Sequence, residues 1–501
     1  MTHLDGGMPH LVGRALAQVN NTGTANMADA ASQLDNLEAE LTTLWVTICA
    51  IMVFQMQSGF ALLEAGTVRV KNTKNILLKN AIDACVATIC WWSVGDAFAY
   101  GKCGQNAFIG AFNFFSSEAD ANGGTHWALW LFNWAFAATS ATIVSGAIAE
   151  RLQFKAYLIY TSVISGFIYP VVVHWVWSNS GWLAARRKPC DASEYEPLIS
   201  GTMGLLDFAG SGVVHMVGGG AALMATIIVG PRLGRFGADG KPTEFAPSNP
   251  VFQALGVFIL WASFYAFNAG STQCFQGCMF VAANIAVNTT ISASFGALTC
   301  LAVAILLGLP GDIGPVLNGV LAGLVSITAP CAMVTTYGAA VIGIVGGLVY
   351  SASSRLLVRL KVDDPVDAAP VHFFCGAWGV LSVGFFATET STAAAYTYAA
   401  DWGVFYGGSG KQLGMQLLGV VVLSAWTCTL SGLLFLFLRK MCWLRVPEQV
   451  ERQGLDLAQG LSTGLMGKCF KRSAYTMAVE HSLTRPSAMP KPETHKLDNS
   501  M

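Results

Sequence analysis

The chain has 501 residues, 53% of them apolar and 11% charged, with a formal net charge of −1; an ordinary soluble domain carries roughly 25% charged residues. With a mean hydropathy of +0.52, too few ionisable groups remain to solvate a compact globule of this size, which disfavours a soluble enzyme, a disordered scaffold and a nucleic-acid binder. The near balance of 28 basic and 29 acidic residues says nothing about partners, so the positions of the charges must carry that information.

Residues 1–40 form a polar segment without the basic start and apolar core of a cleavable signal peptide, so the first span is expected to direct insertion. Asn20 opens an Asn-Asn-Thr sequon in this segment, an acceptor for glycosylation if the N-terminus faces outside. A crossing needs about 20 apolar residues. Eleven spans read out in chain order, at 42–66, 76–100, 126–149, 155–179, 205–230, 251–269, 279–308, 314–332, 336–359, 368–388 and 412–438. The fold class is therefore all-α integral membrane, with domains at 1–40 (polar, outside), 41–440 (the helical bundle) and 441–501 (a tail). Fifteen basic residues fall at one end of the spans, from Arg69, Lys71, Lys74 and Lys79 through Arg439, Lys440 and Arg445, against six at the other. The positive-inside rule then puts the N-terminus outside and the tail in the cytoplasm.

Thirteen cysteines are spread singly, mostly within apolar runs where they act as small hydrophobes. Cys103 and Cys190 fall in outer loops and are the candidates for a disulfide. Glycines crowd the spans, as in residues 218–230 and 338–350, which suits close helix packing in lipid.

Two segments share a pattern. Asp207 starts Asp-Phe-Ala-Gly-Ser-Gly-Val-Val-His, ending at His215; Asp364 starts Asp-Pro-Val-Asp-Ala-Ala-Pro-Val-His, ending at His372. They lie in spans five and ten, which run in opposite directions, so spans 1–5 and 6–10 read as an inverted repeat with the eleventh added. Eight residues of helix rise about 12 Å, which brings both histidines near the bilayer midplane, where an ionisable group marks a pathway by default. A carboxylate at a helix start caps free amides, so Asp207 and Asp364 are expected to act structurally, with Asp207 adding to the field met by an arriving cation. A metal site would have only Cys375 as a nearby third ligand.

At these residues the sequence resembles the ammonium transporter (Amt/Mep/Rh) family, and its ammonium-transporter branch most closely. The segment 207–215, with residues 267–271 (FNAGS), 146–151 (GAIAER), 60–66 (FALLEAG) and 445–457 (RVPEQVERQGLDL), is similar to family motifs in the expected order. The resemblance implies an eleven-helix bundle with a 5+5 inverted repeat, assembled as a homotrimer with one pore per protomer. It implies twin pore histidines at His215 and His372, a gate of stacked rings at Phe136 and Phe267, and ammonium recruitment by Trp177, Ser271 and Phe132. An aromatic face attracts a small cation, and a hydroxyl accepts an N–H bond that K⁺ cannot offer.

The implied function is transport rather than catalysis: NH₄⁺ is recruited outside, deprotonated and passed as NH₃, with electrogenic uptake across the plasma membrane. Ammonium and methylammonium are the implied ligands and the bilayer the setting; a cytoplasmic regulator on the tail is one partner to test, while no cofactor, metal or nucleic acid is expected. The competing readings are an electroneutral NH₃/CO₂ channel of Rh type, an ammonium sensor and a membrane metalloenzyme. One departure stands out: after Gly454-Leu455-Asp456-Leu457 the family's regulatory threonine position is Ala458, so phosphorylation there is excluded.

Overall fold

The computed structural model describes residues 25–101, 106–117, 124–185, 197–309 and 312–457. Asn20, Cys103, Cys190 and Ala458 lie outside them. Among the described residues ten helices are long and apolar enough to cross a membrane. We number the apolar helices α1 (Asp29–Thr67), α2 (Val70–Tyr100), α3 (Gly124–Ala147), α4 (Phe154–Trp177), α5 (Ser211–Val229), α6 (Pro250–Thr272), α7 (Met279–Leu306), α8 (Gly314–Thr328), α9 (Thr336–Arg359), α10 (Ala369–Phe386) and α11 (Lys411–Lys440). The shorter one, α8, has 15 residues, about 22 Å at 1.5 Å per residue, and the buried turns at 329–334 extend it. Helical winding begins at Ala25, ahead of α1 and within the polar segment 1–40. No strand forms among the described residues, only isolated bridges.

An apolar run becomes a helix in lipid because every backbone polar group must then be satisfied within the segment. The ends show how each run is stopped and started. Asn249 accepts from the backbone N–H groups of Val251 and Phe252 with Pro250 in the first turn, and Thr335 caps Gly338 at the start of α9. Phe280, Ile305, Leu306, Leu433 and Leu436 project outward, as side chains facing acyl chains would. Inside, α7, α8 and α9 pack through small residues: a Cβ on Gly323 would lie 2.2 Å from the Ser292 carbonyl oxygen, so no larger residue fits that crossing.

Buried charges are handled in groups. Glu64 takes a hydrogen bond from Asn80 Nδ2 at 2.7 Å and another from the Ser145 hydroxyl, while Thr142 donates to Asp83 at 2.8 Å. Lys79, placed by sequence in a loop, is instead buried in α2, donating to the Leu152 carbonyl at 3.1 Å beneath the Tyr157 ring. At the tail end, Arg232 grips Asp363 through Nε at 2.8 Å and Nη2 at 2.9 Å and reaches Glu150 at 2.8 Å. The tail closes over this cluster. Glu451 binds Arg445 and the backbone N–H of Leu233, and Asp456 accepts from the N–H groups of Lys74 and Asn75 at the start of a helix.

Burial alone would raise the Asp363 pKa, but the Arg232 hydrogen bond and the charges of Arg151 and Arg232 outweigh it and hold the carboxyl below its ordinary value. A depressed carboxyl contributes stability above its unfolded value, roughly 3.9, and loses it as the pH falls through the folded value. Asp363→Asn, which leaves Arg232 short of a buried partner, should lower stability by about 3 kcal/mol near neutral pH. The difference from wild type should persist down to about pH 4 and close only below it; thermal unfolding in detergent across pH measures both.

Candidate functional site

The helices that carry the histidines are not regular at their starts. α5 and α10 each open on a π-helical turn, Ser211–Met216 and Ala369–Phe374, a winding that recurs at functional positions. Each turn carries one histidine, and each is preceded by its aspartate. Asp207 accepts three backbone N–H groups, from Gly210 at 3.1 Å, Gly212 at 2.9 Å and Val213 at 2.8 Å; Asp364 accepts from Ala369 at 2.8 Å. The chain enters the α5 turn through Gly210 at φ 104°, and a Cβ there would sit 3.1 Å from the Trp177 ring. Only glycine takes that conformation without strain.

The histidines meet. Their Nδ1 atoms are 3.1 Å apart, with ring centroids separated by 5.2 Å and planes at 20°, and both rings are buried. A bond between two ring nitrogens needs one N–H and one lone pair, so two neutral rings must hold opposite tautomers, one with a bare Nε2 and the other with an Nε2–H. The Nε2 of His215 is buried without a partner. Around it stand Phe264, at 5.6 Å and 19°, and Phe267, at 5.4 Å and 30°. Phe60 lies 5.9 Å from His372 on the other side. The approach depends on Gly219 of α5, where a Cβ would fall 2.3 Å from the Phe373 nitrogen and 2.7 Å from the His372 carbonyl carbon.

Toward the Asp207 end the other residues singled out by sequence come together. Phe136 and Phe267 stack at 4.0 Å and 14°, fully buried. Phe132 tilts onto Phe136 at 4.7 Å, and Trp177 meets Phe136 edge-on at 5.9 Å. The Trp177 Nε1 donates to the Asp207 carbonyl at 2.8 Å, which fixes the indole; the Ser271 hydroxyl donates to the Phe267 carbonyl at 2.7 Å, which leaves its lone pairs to accept. Phe132, Phe136, Trp177, Ser271 and Asp207 line one cavity of about 580 Å³. A second, of about 610 Å³, is lined by Asp364, Asp367, Asn318 and Tyr350. Of the stacked rings Phe136 reaches the first cavity, and neither histidine lines either one.

Some groups were not legible in the sequence. Asp96, in the wall of the first cavity, had as its signal only an ionisable residue inside a span. Cys274 and Cys278, four residues apart just beyond Ser271, form a disulfide, a pairing that two cysteines so close in the chain do not announce. Cys375 donates to the Pro370 and Gly346 carbonyls, and among the described residues no three His, Cys, Asp or Glu side chains gather as a ligand set.

The sequence pattern of the Ammonium Transporter Family matches residues 44–463. Ammonium transporter 3 of Dictyostelium discoideum is 39% identical over 439 residues, covering 87% of this chain and 96% of that one. Ammonium transporter Amt2 of Archaeoglobus fulgidus is also 39% identical, over 87% and 91%. Among solved structures, a sensor Amt protein superposes with a TM-score of 0.76 at 33% identity, covering 85% of this chain and all of its own. Mep2 of Candida albicans superposes at 0.71 with 25% identity, over 81% and 86%.

If the contact at Gly219 sets the histidine separation, Gly219→Ala should cost about 2 kcal/mol through overpacking. Gly414→Ala on α11, where a Cβ meets nothing within 4 Å, should be neutral or stabilising by about 0.5 kcal/mol. Thermal unfolding of the two variants in detergent checks the contrast.

Proposed function

The chain belongs to the ammonium transporter family, and from that premise we propose how it moves its substrate. It is an integral membrane ammonium transporter. In our reading the N-terminus lies outside, all eleven apolar helices cross, α1–α5 and α6–α10 form an inverted repeat, and the chain works as a homotrimer in the plasma membrane. The bundle, residues 41–440, carries transport, and the tail from 441 lies in the cytoplasm, where it offers a docking place for a regulator.

The step sequence starts in the cavity beside Trp177. An ammonium ion loses part of its water to the aromatic faces of Trp177, Phe132 and Phe136 and donates N–H bonds to the Ser271 oxygen, a bond K⁺ cannot make. The Phe136–Phe267 stack then has to part, and its apolar surface resists a hydrated ion. Beyond it, the unpartnered Nε2 of His215 is positioned to take a proton when it is the bare nitrogen, releasing neutral ammonia. The shared Nδ1 contact gives that proton a route to His372, while ammonia follows the two rings to the second cavity and is reprotonated in the cytoplasm. Net charge moves with each ammonium. The observation that carries this reading is the paired imidazoles behind a closed aromatic stack, reached from a cavity walled by Trp177 and Ser271.

The test is the current from purified protein in liposomes after an ammonium jump, with internal pH recorded and K⁺ as the control. A saturating inward current absent with K⁺ is expected; internal alkalinisation without current would replace this reading with an electroneutral ammonia channel. His215→Ala and His372→Ala should admit K⁺, narrowing the ammonium preference by about tenfold or more, which corresponds to about 1.4 kcal/mol. Trp177→Leu should raise the half-saturating ammonium about fivefold, the loss of roughly 1 kcal/mol of cation–π attraction. Unchanged exclusion in both histidine variants overturns the twin-histidine step.

A further inference from the structure

Asp96 is the exception among the buried carboxylates. Glu64, Asp83, Glu150, Asp207, Asp363, Asp401 and Glu451 all accept hydrogen bonds. Asp96 is only 7% exposed, yet no described residue donates to it. A buried charged group left unpaired calls for an explanation, because burial without a partner is costly. Its position supplies one. Asp96 follows directly on a π-helical turn, Trp91–Gly95, and lines the same cavity as Trp177, Ser271, Phe132 and Phe136.

The surrounding wall points the same way. Tyr100 spends its hydroxyl proton on Asn133 Oδ1 at 2.9 Å, and the Asn133 amide donates one N–H to the Leu129 carbonyl at 2.9 Å; neither residue donates to Asp96. His126 and Trp130 share this lining, and neither donates to Asp96; the indole N–H of Trp130 is a donor only, which leaves the carboxylate as the group there that suits a cation. Asp207, the other carboxylate there, has its oxygens committed to backbone N–H groups. The anion facing the cavity contents is Asp96.

We infer that Asp96 forms an additional cation subsite in the wall of the outer cavity, which holds ammonium or a small primary alkylammonium ahead of the Trp177 and Ser271 site. The inference rests on the transport reading above and deepens it. A charge attracts K⁺ as readily as ammonium, so this subsite raises the local cation concentration and leaves selection to the donor-counting groups beyond. Affinity and selectivity should therefore separate. Because the cavity is open to solution, the attraction should also be screened by salt.

The experiment compares ammonium-jump currents of wild type, Asp96→Asn and Asp96→Glu in liposomes at about 10 mM and about 0.5 M ionic strength, set with N-methylglucamine gluconate. Asp96→Asn should raise the half-saturating ammonium about fivefold at low salt and less than about twofold at high salt. Maximal current and K⁺ exclusion should not change, and Asp96→Glu should behave as wild type. Asp96→Ser carries the same expectation should the Asn variant fail to assemble. A half-saturation unchanged at low salt, a shift equal at both salts, or a loss of maximal current alone overturns the subsite. Wild type that passes no ammonium current fails the transport reading instead, and that is seen before any variant is compared.

Discussion

Two imidazoles that share one hydrogen bond in the interior of a bundle set the demands that the surrounding helices meet. For His215 and His372 to bring their Nδ1 atoms to 3.1 Å, the backbones of α5 and α10 must approach until residue 219 has no room for a Cβ. Both helices also begin inside the protein, which exposes N–H groups where lipid-facing structure could not tolerate them. Asp207 and Asp364 supply the acceptors. A carboxylate ahead of each histidine is thus a condition of starting a helix at that depth, before any role it has in attracting a cation.

The remaining buried charges serve position more than net stability. A buried ion pair is weak evidence for stabilisation, since desolvation offsets much of the attraction. What the Arg232, Asp363 and Glu150 cluster does is tie together four places in the chain: the entry to α2, the exit from α3, the start of the α5–α6 connection and the approach to α10. The tail adds Glu451 and Asp456 to the same end. A change in the tail is therefore one hydrogen-bonded cluster away from Asp364, where α10 begins.

The sequence made the spans legible because an apolar run of membrane length has few alternatives, and it made the histidines legible because the eight-residue spacing repeats. Its ends were less readable. The winding that leads into α1 begins at Ala25 because Ala, Leu and Glu favour helix whether or not lipid surrounds them. Lys79 reads as a loop charge, but the Tyr157 ring facing its ammonium and the Leu152 carbonyl accepting from it let it stay inside. The π-helical turns carry no composition signal at all: Trp91–Gly95 reads like any apolar turn. Without them the register that brings Asp96 to the cavity cannot be worked out from the sequence. The residues proposed for recruitment and gating became readable only through their motif positions, since rings in a membrane protein are ordinarily core or belt.

Magnitudes explain why a histidine pair suits this place. Moving a small ion from water into a medium of low dielectric has an idealised cost of order 20 kcal/mol. At the His215 level the wall offers the faces of Phe264 and Phe267, about 2 kcal/mol each when desolvated, and one nitrogen lone pair, about 3 kcal/mol for a bond to a charged donor. These fall well short. Neutral ammonia presents a far smaller problem, roughly 2–7 kcal/mol for an unpaired polar group, which hydrogen bonds can meet. The opposite tautomers of the pair meet it at both rings: one Nε2 accepts an ammonia N–H and the other donates to its lone pair. On the proposed route, an aromatic stack followed by two imidazoles is thus a poor path for the ion and a serviceable one for the neutral molecule, which leaves the rings as the path for the proton.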